Sequence, residues 1–189
     1  PGVPYVIQNT TVSAGATLTI AAGTIIKFLD NHYLWVYGTL DAVGTASNKI
    51  VFTAYTDDTV GGDTNADGSD TTPEPDWWRC LFFDEDGGGT LDHCIIRYGG
   101  AYEDANVYCE NSASPTLSNC EISHSDVDGI RTYNAARPSI SACTIKDNGH
   151  WPIRIRGWNA IADISGCTIE DNGWEGIYVD SHDIPAGQS

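Results

Sequence analysis

Leu91-Asp-His-Cys94-Ile-Ile96 recurs three times further along the chain, as Leu117-Ser-Asn-Cys120-Glu-Ile122, Ile140-Ser-Ala-Cys143-Thr-Ile145 and Ile164-Ser-Gly-Cys167-Thr-Ile169. Each copy has the form apolar-x-x-Cys-x-Ile, and successive cysteines are 26, 23 and 24 residues apart. A spacing of this size is typical of repeat proteins, in which each unit buries its apolar face against the next unit. The pattern therefore predicts a stack of similar coils.

Each repeat also contains a second short strand with alternating apolar residues, at 81–83, 107–109, 130–132, 153–155 and 177–179. A unit of short strands and glycine turns cannot bury its own apolar face. A leucine-rich repeat would need its own leucine signature and a helical return arm, and neither is present. The remaining architecture is all-β: a single-stranded parallel β-helix (a solenoid) with equivalent positions about 4.8 Å apart. The usual hand of parallel crossovers makes it right-handed.

The first third of the chain is interpreted as shorter coils of the same kind. The segment 18–20 resembles 34–36, and 26–28 and 50–52 are interpreted as the strands that follow them. Residues 57–76 break the pattern and predict a long acidic loop inserted between coils. We therefore expect one β-helix domain over 1–189, with short coils in 1–56, the loop in 57–76, coils of 23–26 residues in 77–183 and a tail in 184–189.

The segments 14–28 and 38–45 and the coils of the form Cys-Thr-Ile-x-Asp-Asn-Gly resemble right-handed parallel β-helix repeat domains of secreted and cell-surface proteins of bacteria and archaea. The resemblance covers nearly the whole chain. It implies the fold more than an activity, because that superfamily contains polysaccharide lyases and hydrolases, adhesins and modules without an assigned role.

Composition excludes several classes of partner. The chain has 9 basic and 26 acidic residues and a formal charge of −17. Such a chain lacks the basic face that nucleic acids and anionic lipids require. No apolar run has the length of a membrane span, so membrane insertion is not expected. The strong acidity, the scarcity of lysine and the start at Pro1 without a leader sequence favour a secreted or cell-surface protein from which a signal peptide has been removed, or a piece of a longer chain.

The six cysteines allow two interpretations. In an exported chain they suggest three disulfides. The four repeat cysteines instead occupy one equivalent position per coil, where parallel Cβ vectors suit a disulfide poorly. We therefore expect a ladder of buried, reduced thiols, with Cys109 on an inward position and Cys80 beside a strand. A zinc site is not indicated, because no Cys-x-x-Cys is present.

The acidic loop contains the spacing of a twelve-residue calcium loop. The predicted ligands are Asp63, Asn65, Asp67, the Ser69 carbonyl and Glu74, with Gly68 at the sharp turn. No amphipathic helices flank the loop, so Ca²⁺ would be structural and would hold the insertion against the coils. The alternative is a solvated acidic loop without an ion.

Two outward rows on the second strand of each repeat form a possible binding face. One row contains Phe82, Tyr108, Arg131, Arg154 and Tyr178, and the next contains Asp84, Glu110, Tyr133, Arg156 and Asp180. Aromatic rings can stack on sugar faces and guanidinium groups can bind carboxylates, so Tyr108, Arg131, Tyr133, Arg154, Arg156 and Tyr178 are candidate ligand-binding residues. Ordinary cross-strand packing explains the same residues equally well.

These observations lead to one expected function and two alternatives. We expect a non-enzymatic extracellular β-helix module, stabilised by calcium and used for adhesion, surface structure or carbohydrate binding. The first alternative is a lyase or hydrolase that acts on an acidic polysaccharide, with Arg131 and Arg154 at its site. The second is a self-assembling filament subunit. The expected partners are an extracellular polysaccharide, or neighbouring domains or subunits stacked end to end.

Overall fold

The computed structural model describes residues 2–180, in which the regular structure is 20 β-strands and one 3-10 turn at Ala101–Glu103. In chain order the strands are β1 (Tyr5–Ile7), β2 (Thr10–Val12), β3 (Thr17–Ile20), β4 (Ile25–Phe28), β5 (Leu34–Val36), β6 (Thr39–Val43), β7 (Ile50–Ala54), β8 (Leu81–Phe83), β9 (Gly88–Asp92), β10 (Cys94–Arg97), β11 (Ala105–Cys109), β12 (Thr116–Ser118), β13 (Glu121–Ser123), β14 (Asp128–Tyr133), β15 (Ser139–Ser141), β16 (Thr144–Lys146), β17 (Ile153–Arg156), β18 (Asp163–Ser165), β19 (Thr168–Glu170) and β20 (Ile177–Asp180).

The strands form three parallel sheets. Sheet A contains β1-β4-β7-β10-β13-β16-β19, sheet B contains β2-β5-β8-β11-β14-β17-β20, and sheet C contains β3-β6-β9-β12-β15-β18. Each full coil contributes one strand to each sheet, so the chain forms a parallel β-solenoid of about seven turns. The predicted all-β parallel architecture is confirmed.

The apolar positions of the repeat pair with one another on neighbouring coils. The paired rows are Leu91, Leu117, Ile140 and Ile164 in sheet C, and Ile96, Ile122, Ile145 and Ile169 in sheet A. The first three members of each row are fully buried, whereas Ile164 and Ile169 are half-buried in the last coil that the structure describes. The repeat spacing therefore predicted the register between coils.

The repeated pattern crosses a corner between two sheets, so each coil has three strands, one more than the sequence indicated. The residue before each repeat cysteine has a positive φ, of 50° at His93, 52° at Asn119, 50° at Ala142 and 61° at Gly166. A residue in this left-handed region turns the chain sharply. The apolar residue before the corner and the cysteine after it can therefore both face the core. Three of the four are not glycine, although this conformation costs other residues about 1–2 kcal/mol.

The Asp92 carboxylate forms hydrogen bonds to residues at this corner. These bonds predict that the stability of the fold depends on pH. Asp92 Oδ1 accepts hydrogen bonds from His93 Nδ1 at 2.9 Å, Ser118 Oγ at 2.8 Å and Asn119 Nδ2 at 2.8 Å. Burial alone would raise the pKa of Asp92, but hydrogen bonds from Asn119, His93 and Ser118 lower the pKa below its ordinary value. Because the folded pKa is depressed, Asp92 contributes stability above its unfolded pKa of about 4, and this contribution is lost as the pH falls further.

We therefore expect Asp92→Asn to lower the free energy of unfolding near neutral pH, and this difference from the wild type to shrink as the pH falls below about 4. Urea unfolding curves at a series of pH values measure it. Ser118→Ala, which removes one donor, should show part of the same dependence. A difference that is independent of pH would contradict this role of Asp92.

The sequence-based alignment of the first coils was wrong. The segment 18–20 was matched to 34–36, but Leu18 lies in sheet C opposite Leu40, whereas Leu34 lies in sheet B opposite Leu81. The segments 26–28 and 50–52 do lie on strands that pair in sheet A, with Ile26 opposite Phe52. Short apolar-x-apolar segments look alike in all three sheets, so a period of two could not assign them.

Aromatic side chains fill the core where the acidic loop rejoins the coils. Trp78 is completely buried and stacks on Phe28, with ring centroids 4.0 Å apart and planes 5° apart. Its indole Nε1 donates a hydrogen bond to Arg97 O at 2.9 Å, and Trp77 Nε1 donates to Phe28 O at 3.1 Å. Both indole N–H groups therefore have partners, as buried polar groups require.

Asparagine side chains form hydrogen bonds between neighbouring coils at the corner between sheets A and B. Asn148 Nδ2 donates to Asn172 Oδ1 at 2.9 Å and to Ile122 O at 3.3 Å, while Asn172 Nδ2 donates to Ile145 O at 3.0 Å. Asn148 is 2% exposed, so these bonds satisfy groups that would otherwise be buried without partners.

The segment 55–80, between β7 and β8, contains no strand or helix. It includes the predicted acidic loop of 57–76. The predicted tail at 184–189 and the end of the last predicted coil, 181–183, lie outside the described residues. Within residues 2–180, no helix is both long enough and apolar enough to cross a membrane.

Candidate functional site

The acidic segment is attached to sheet A through Asp57, three residues after the end of β7. Asp57 is completely buried, and its Oδ2 accepts hydrogen bonds from Thr53 Oγ1 at 2.5 Å and from Arg97 Nε and Nη2 at 3.0 Å and 2.6 Å. Its Oδ1 accepts hydrogen bonds from the backbone N–H and the hydroxyl of Thr59. Asp57 is therefore a fully bonded structural carboxylate at the base of the loop.

Lys27 attaches the segment to sheet A at a second point. The side chain is completely buried, and Nζ donates hydrogen bonds to Gly62 O at 2.9 Å and to Thr64 Oγ1 at 2.6 Å. Burial lowers the pKa of Lys27, while Asp58, Asp57 and Asp63 act to raise it. The ammonium group therefore bonds to neutral oxygens and interacts with the carboxylates through space.

Three carboxylates converge beyond this attachment. Asp58, Asp63 and Asp67 each offer an oxygen within 4.8 Å of the others. Asp63 is held by the backbone: its Oδ1 and Oδ2 accept hydrogen bonds from the Asp67 N–H at 3.1 Å and the Gly68 N–H at 2.9 Å. Gly68 has a φ of 75°, which glycine adopts at little cost.

The predicted calcium ligands divide into two groups. Asp63 and Asp67 belong to the cluster of three carboxylates, and Asn65 Nδ2 donates to Asp67 Oδ2 at 2.7 Å. Ser69 is exposed, with its N–H donating to Asp67 O at 3.0 Å. Glu74 is exposed and does not belong to the cluster of three carboxylates.

The second candidate site is the outer face of sheet B, where the predicted row is in register. The paired residues are Trp35, Phe82, Tyr108, Arg131, Arg154 and Tyr178, all half-buried. Ring centroids are 4.7 Å apart for Trp35 and Phe82 and 4.9 Å apart for Phe82 and Tyr108. The row therefore consists of an aromatic half, two arginines and a final tyrosine.

Both arginines of this row lie against one buried carboxylate. Arg131 Nε and Nη2 donate to Asp128 Oδ2 at 2.9 Å and 2.7 Å, and Arg154 Nη1 lies 3.7 Å from the same oxygen. The Asp128 side chain is completely buried, and its Oδ1 accepts a hydrogen bond from the Trp151 N–H at 3.2 Å. Arg154 Nε is buried and has no hydrogen-bond partner among the described residues, so Arg154 is less completely bonded than Arg131.

Aromatic rings lie against these guanidinium groups. The Arg131 guanidinium carbon is 5.8 Å from the centroid of Tyr108, and that of Arg154 is 5.4 Å from Tyr178. Trp151 lies 5.0 Å from Trp174 and 5.1 Å from Tyr178, measured between ring centroids. The face therefore combines cations with rings that can also stack on a sugar.

The second predicted row lies beside the first. Tyr133 pairs with Arg156, and Arg156 pairs with Asp180 in the next coil, where Arg156 Nε is 3.7 Å from Asp180 Oδ2. Arg156 is the most exposed arginine of this face, with 52% of its side chain accessible. Burial and the neighbouring Asp84 carboxylate raise the pKa of Glu110.

All six cysteines are free, and all but the half-buried Cys167 are buried. The sulfur atom of each of the four repeat cysteines lies close to the carbonyl oxygen two residues earlier; Cys120 Sγ, for example, is 3.2 Å from Ser118 O. Burial raises the pKa of Cys109 and of Cys80, which disfavours the reactive thiolate. These thiols therefore lack the environment of a nucleophile.

Sequence reasoning missed three residues of the two sites. Asp58 precedes the calcium-type spacing, and only the pair of acidic residues at 57–58 in the sequence pointed to it. Trp35 belongs to the aromatic row, but the misaligned first coils concealed its position. Asp128 had no signal, because nothing in the local sequence shows that its carboxylate is buried between two arginines.

Residues 76–185 match the model of a family described as the right handed beta helix region. The match covers more than half of the chain and includes all four copies of the cysteine pattern. It agrees with the parallel coils and confirms the predicted right-handed winding. No curated protein and no solved structure matches the chain.

Proposed function

This chain belongs to the right-handed β-helix family, and from that premise we propose that it is a non-enzymatic extracellular module that binds an acidic carbohydrate on sheet B. Calcium at the acidic loop is the second part of the proposal, with a structural role supported by the cluster of three carboxylates. Adhesion and surface structure are the biological roles that such a module would serve. The observation that carries the binding function is the unbroken row from Trp35 to Tyr178.

The geometry of the row suits an extended ligand. It contains six residues on consecutive coils, which corresponds to about 24 Å along the solenoid axis at the usual strand spacing. A polysaccharide running parallel to that axis would meet one ring or one guanidinium group per coil. Flat aromatic side chains supply contact area at a small entropy cost.

The arginines determine the preferred ligand charge. The protein has only nine basic residues, yet Arg131, Arg154 and Arg156 lie together on this face. A guanidinium group binds a carboxylate through two parallel hydrogen bonds. Asp128 holds Arg131 in position, while Arg154 and Arg156 interact with acids only at 3.7 Å. A uronate carboxylate could therefore bind to these two side chains without displacing a short ion pair.

We expect Arg154→Ala to weaken binding of a galacturonic acid oligomer by about tenfold or more, because one charge-assisted contact is lost. Isothermal titration calorimetry on the full chain measures the affinity. Arg137→Ala, at an exposed position between β14 and β15, is the matched control and should leave the affinity unchanged. The carboxyl-reduced, neutral oligomer should bind more weakly than the acidic one.

Two results would contradict the binding proposal. If the wild type and Arg154→Ala bind the acidic oligomer with equal affinity, the arginines do not contribute to binding. Equal affinity for the neutral and acidic oligomers would remove the preference for uronates.

One observation favours the enzymatic alternative. Glu110, with a raised pKa, lies beside Asp84 on the second row, and perturbed carboxylates are candidate general acids. An absorbance assay for unsaturated uronate products, with a reducing-sugar assay for hydrolysis, separates the alternatives. Product formation that disappears in Arg154→Ala or Glu110→Gln would replace the binding module by a lyase or a hydrolase.

The filament alternative depends on the end of the solenoid. The first coil contains an apolar cavity of about 390 Å³, lined by Ile7, Leu18, Ile20, Ile26 and Leu34 among others. A second copy stacked there would form a head-to-tail contact that does not close into a ring. A molecular mass from light scattering that stays at the monomer value over a concentration series would exclude a filament.

A further inference from the structure

We propose that Asp58, Asp63, Asn65 and Asp67 bind one calcium ion, with Asp58 as the carboxylate that joins the loop ligands in place of Glu74. This inference rests on the calcium stabilisation proposed above and specifies its ligands. The outcome is a site that ties the middle of the acidic loop to its first residues, next to the attachment to sheet A at Asp57.

Charge is the first reason for a divalent cation. Three carboxylates have oxygens within 4.8 Å of one another, and like charges at this distance repel strongly. Lys27 interacts with Asp58 and Asp63 through space, but its hydrogen bonds go to Gly62 O and Thr64 Oγ1. Three carboxylates and one ammonium group leave about two negative charges, which Ca²⁺ would neutralise.

Unpartnered buried oxygens are the second, independent reason. Both carboxylate oxygens of Asp58, together with Asn65 Oδ1 and Asp67 Oδ1, are buried and have no hydrogen-bond partner among the described residues. Burial of a charged oxygen without a partner carries a large free-energy cost. A cation at this position supplies the missing partner for all four oxygens.

The local hydrogen bonds orient these oxygens. Asn65 Nδ2 donates to Asp67 Oδ2 at 2.7 Å and to Thr71 Oγ1 at 2.9 Å, so the amide oxygen of Asn65 remains available. The Thr71 hydroxyl also donates to Asp67 Oδ2, which leaves Asp67 Oδ1 for the ion. Asp63 is positioned by the backbone N–H groups of Asp67 and Gly68.

Oxygen donors alone select a hard cation, and their arrangement selects calcium. Ca²⁺ accepts six to eight oxygens in irregular geometry, whereas Mg²⁺ demands a near-regular octahedron and keeps most of its water. The four side chains provide up to seven oxygens, some already engaged in hydrogen bonds, and water can complete the shell. The cluster contains no histidine nitrogen or cysteine sulfur, which are the ligands that zinc prefers.

The position of Asp58 gives the ion a structural consequence. Asp58 follows Asp57, whose carboxylate is bonded to Thr53 and Arg97 on sheet A. Asp63 and Asp67 lie further along the loop, so an ion shared with Asp58 ties them to the residue next to the sheet A attachment at Asp57. Glu74 is exposed and would tie the loop only to itself.

The test compares Asp58→Asn with Glu74→Gln in the full chain after removal of divalent ions with a chelator. We expect calorimetry to show calcium binding weakened by about tenfold or more in Asp58→Asn and changed by less than about twofold in Glu74→Gln. Calcium should raise the melting temperature of the wild type and of Glu74→Gln, but much less that of Asp58→Asn. Magnesium should bind more weakly than calcium.

A melt in the chelator shows that the variant folds and supplies a second criterion. Without calcium, Asp58→Asn should differ from the wild type by less than the shift that calcium causes in the wild type, because a repulsion within the cluster and an attraction to Lys27 are both lost. If calcium binding is lost in Glu74→Gln and kept in Asp58→Asn, the ligand assignment fails while calcium stabilisation stands. If the wild type binds no calcium at millimolar concentration, both fail. Equal affinity for magnesium would overturn the choice of ion.

Discussion

Asp128→Ala is expected to lower the free energy of unfolding by about 3–5 kcal/mol, because it leaves two partly buried arginines without their shared carboxylate. The Asp128 side chain is completely buried, while the Arg131 and Arg154 side chains are 16% and 23% exposed. The backbone N–H of Trp151 would also lose its acceptor. Urea unfolding at neutral pH measures the loss.

The matched control is Asp180→Ala on the same sheet. The Asp180 side chain is 43% exposed and 3.7 Å from the Arg156 side chain, which is itself 52% exposed, so its removal should cost less than about 1 kcal/mol. The double variant with Asp128→Ala and Arg131→Met should recover part of the loss, because apolar residues can replace a buried ion pair. A similar loss for Asp128→Ala and Asp180→Ala would contradict this role of Asp128.

This carboxylate also connects stability with binding. Asp128 determines where Arg131 lies on the outer face of sheet B and holds Arg154 nearby. If the binding proposal is correct, Asp128→Ala should weaken uronate binding although Asp128 itself is buried beneath the face. The affinity should be measured well below the melting temperature of the variant, so that both proteins are folded.

Leu117→Ala is expected to cost about 2–5 kcal/mol, because it opens a cavity in the centre of the solenoid. Leu117 is completely buried and lies in β12 between Leu91 on β9 and Ile140 on β15. Each coil of a solenoid contacts only its neighbours, so a defect in a middle coil weakens two interfaces.

Two controls from the same sheet sharpen this prediction. Thr116→Ala changes the exposed neighbour on the same strand and should alter stability by less than about 0.5 kcal/mol. Ile164→Ala changes the equivalent, half-buried position in the last described coil and should cost less than Leu117→Ala. Thermal and urea unfolding report all three. A larger loss at Ile164 than at Leu117 would show that the last coil is more tightly covered than the described residues indicate.

The sequence by itself determined the coils, the inward rows and the outward row on sheet B. These features depend on two local periodicities, the alternation of side chains along a strand and the repeat length that places each coil on the one before. Those periodicities alone place Leu117 opposite Leu91 and Arg131 opposite Arg154, and no knowledge of the loops is needed. The same reasoning failed for the first coils, where short apolar segments fit more than one sheet.

Only the tertiary structure decided which polar groups meet at each site. The calcium-type spacing drew attention to Glu74, but the fold brings Asp58, at the start of the acidic loop, to Asp63 and Asp67. Asp128 lies on the strand of Arg131, yet its burial and its contact with Arg154 depend on the packing of neighbouring coils. A linear pattern records the separation of residues along the chain, whereas burial, charge and ligand geometry depend on distances that loops and stacked coils create.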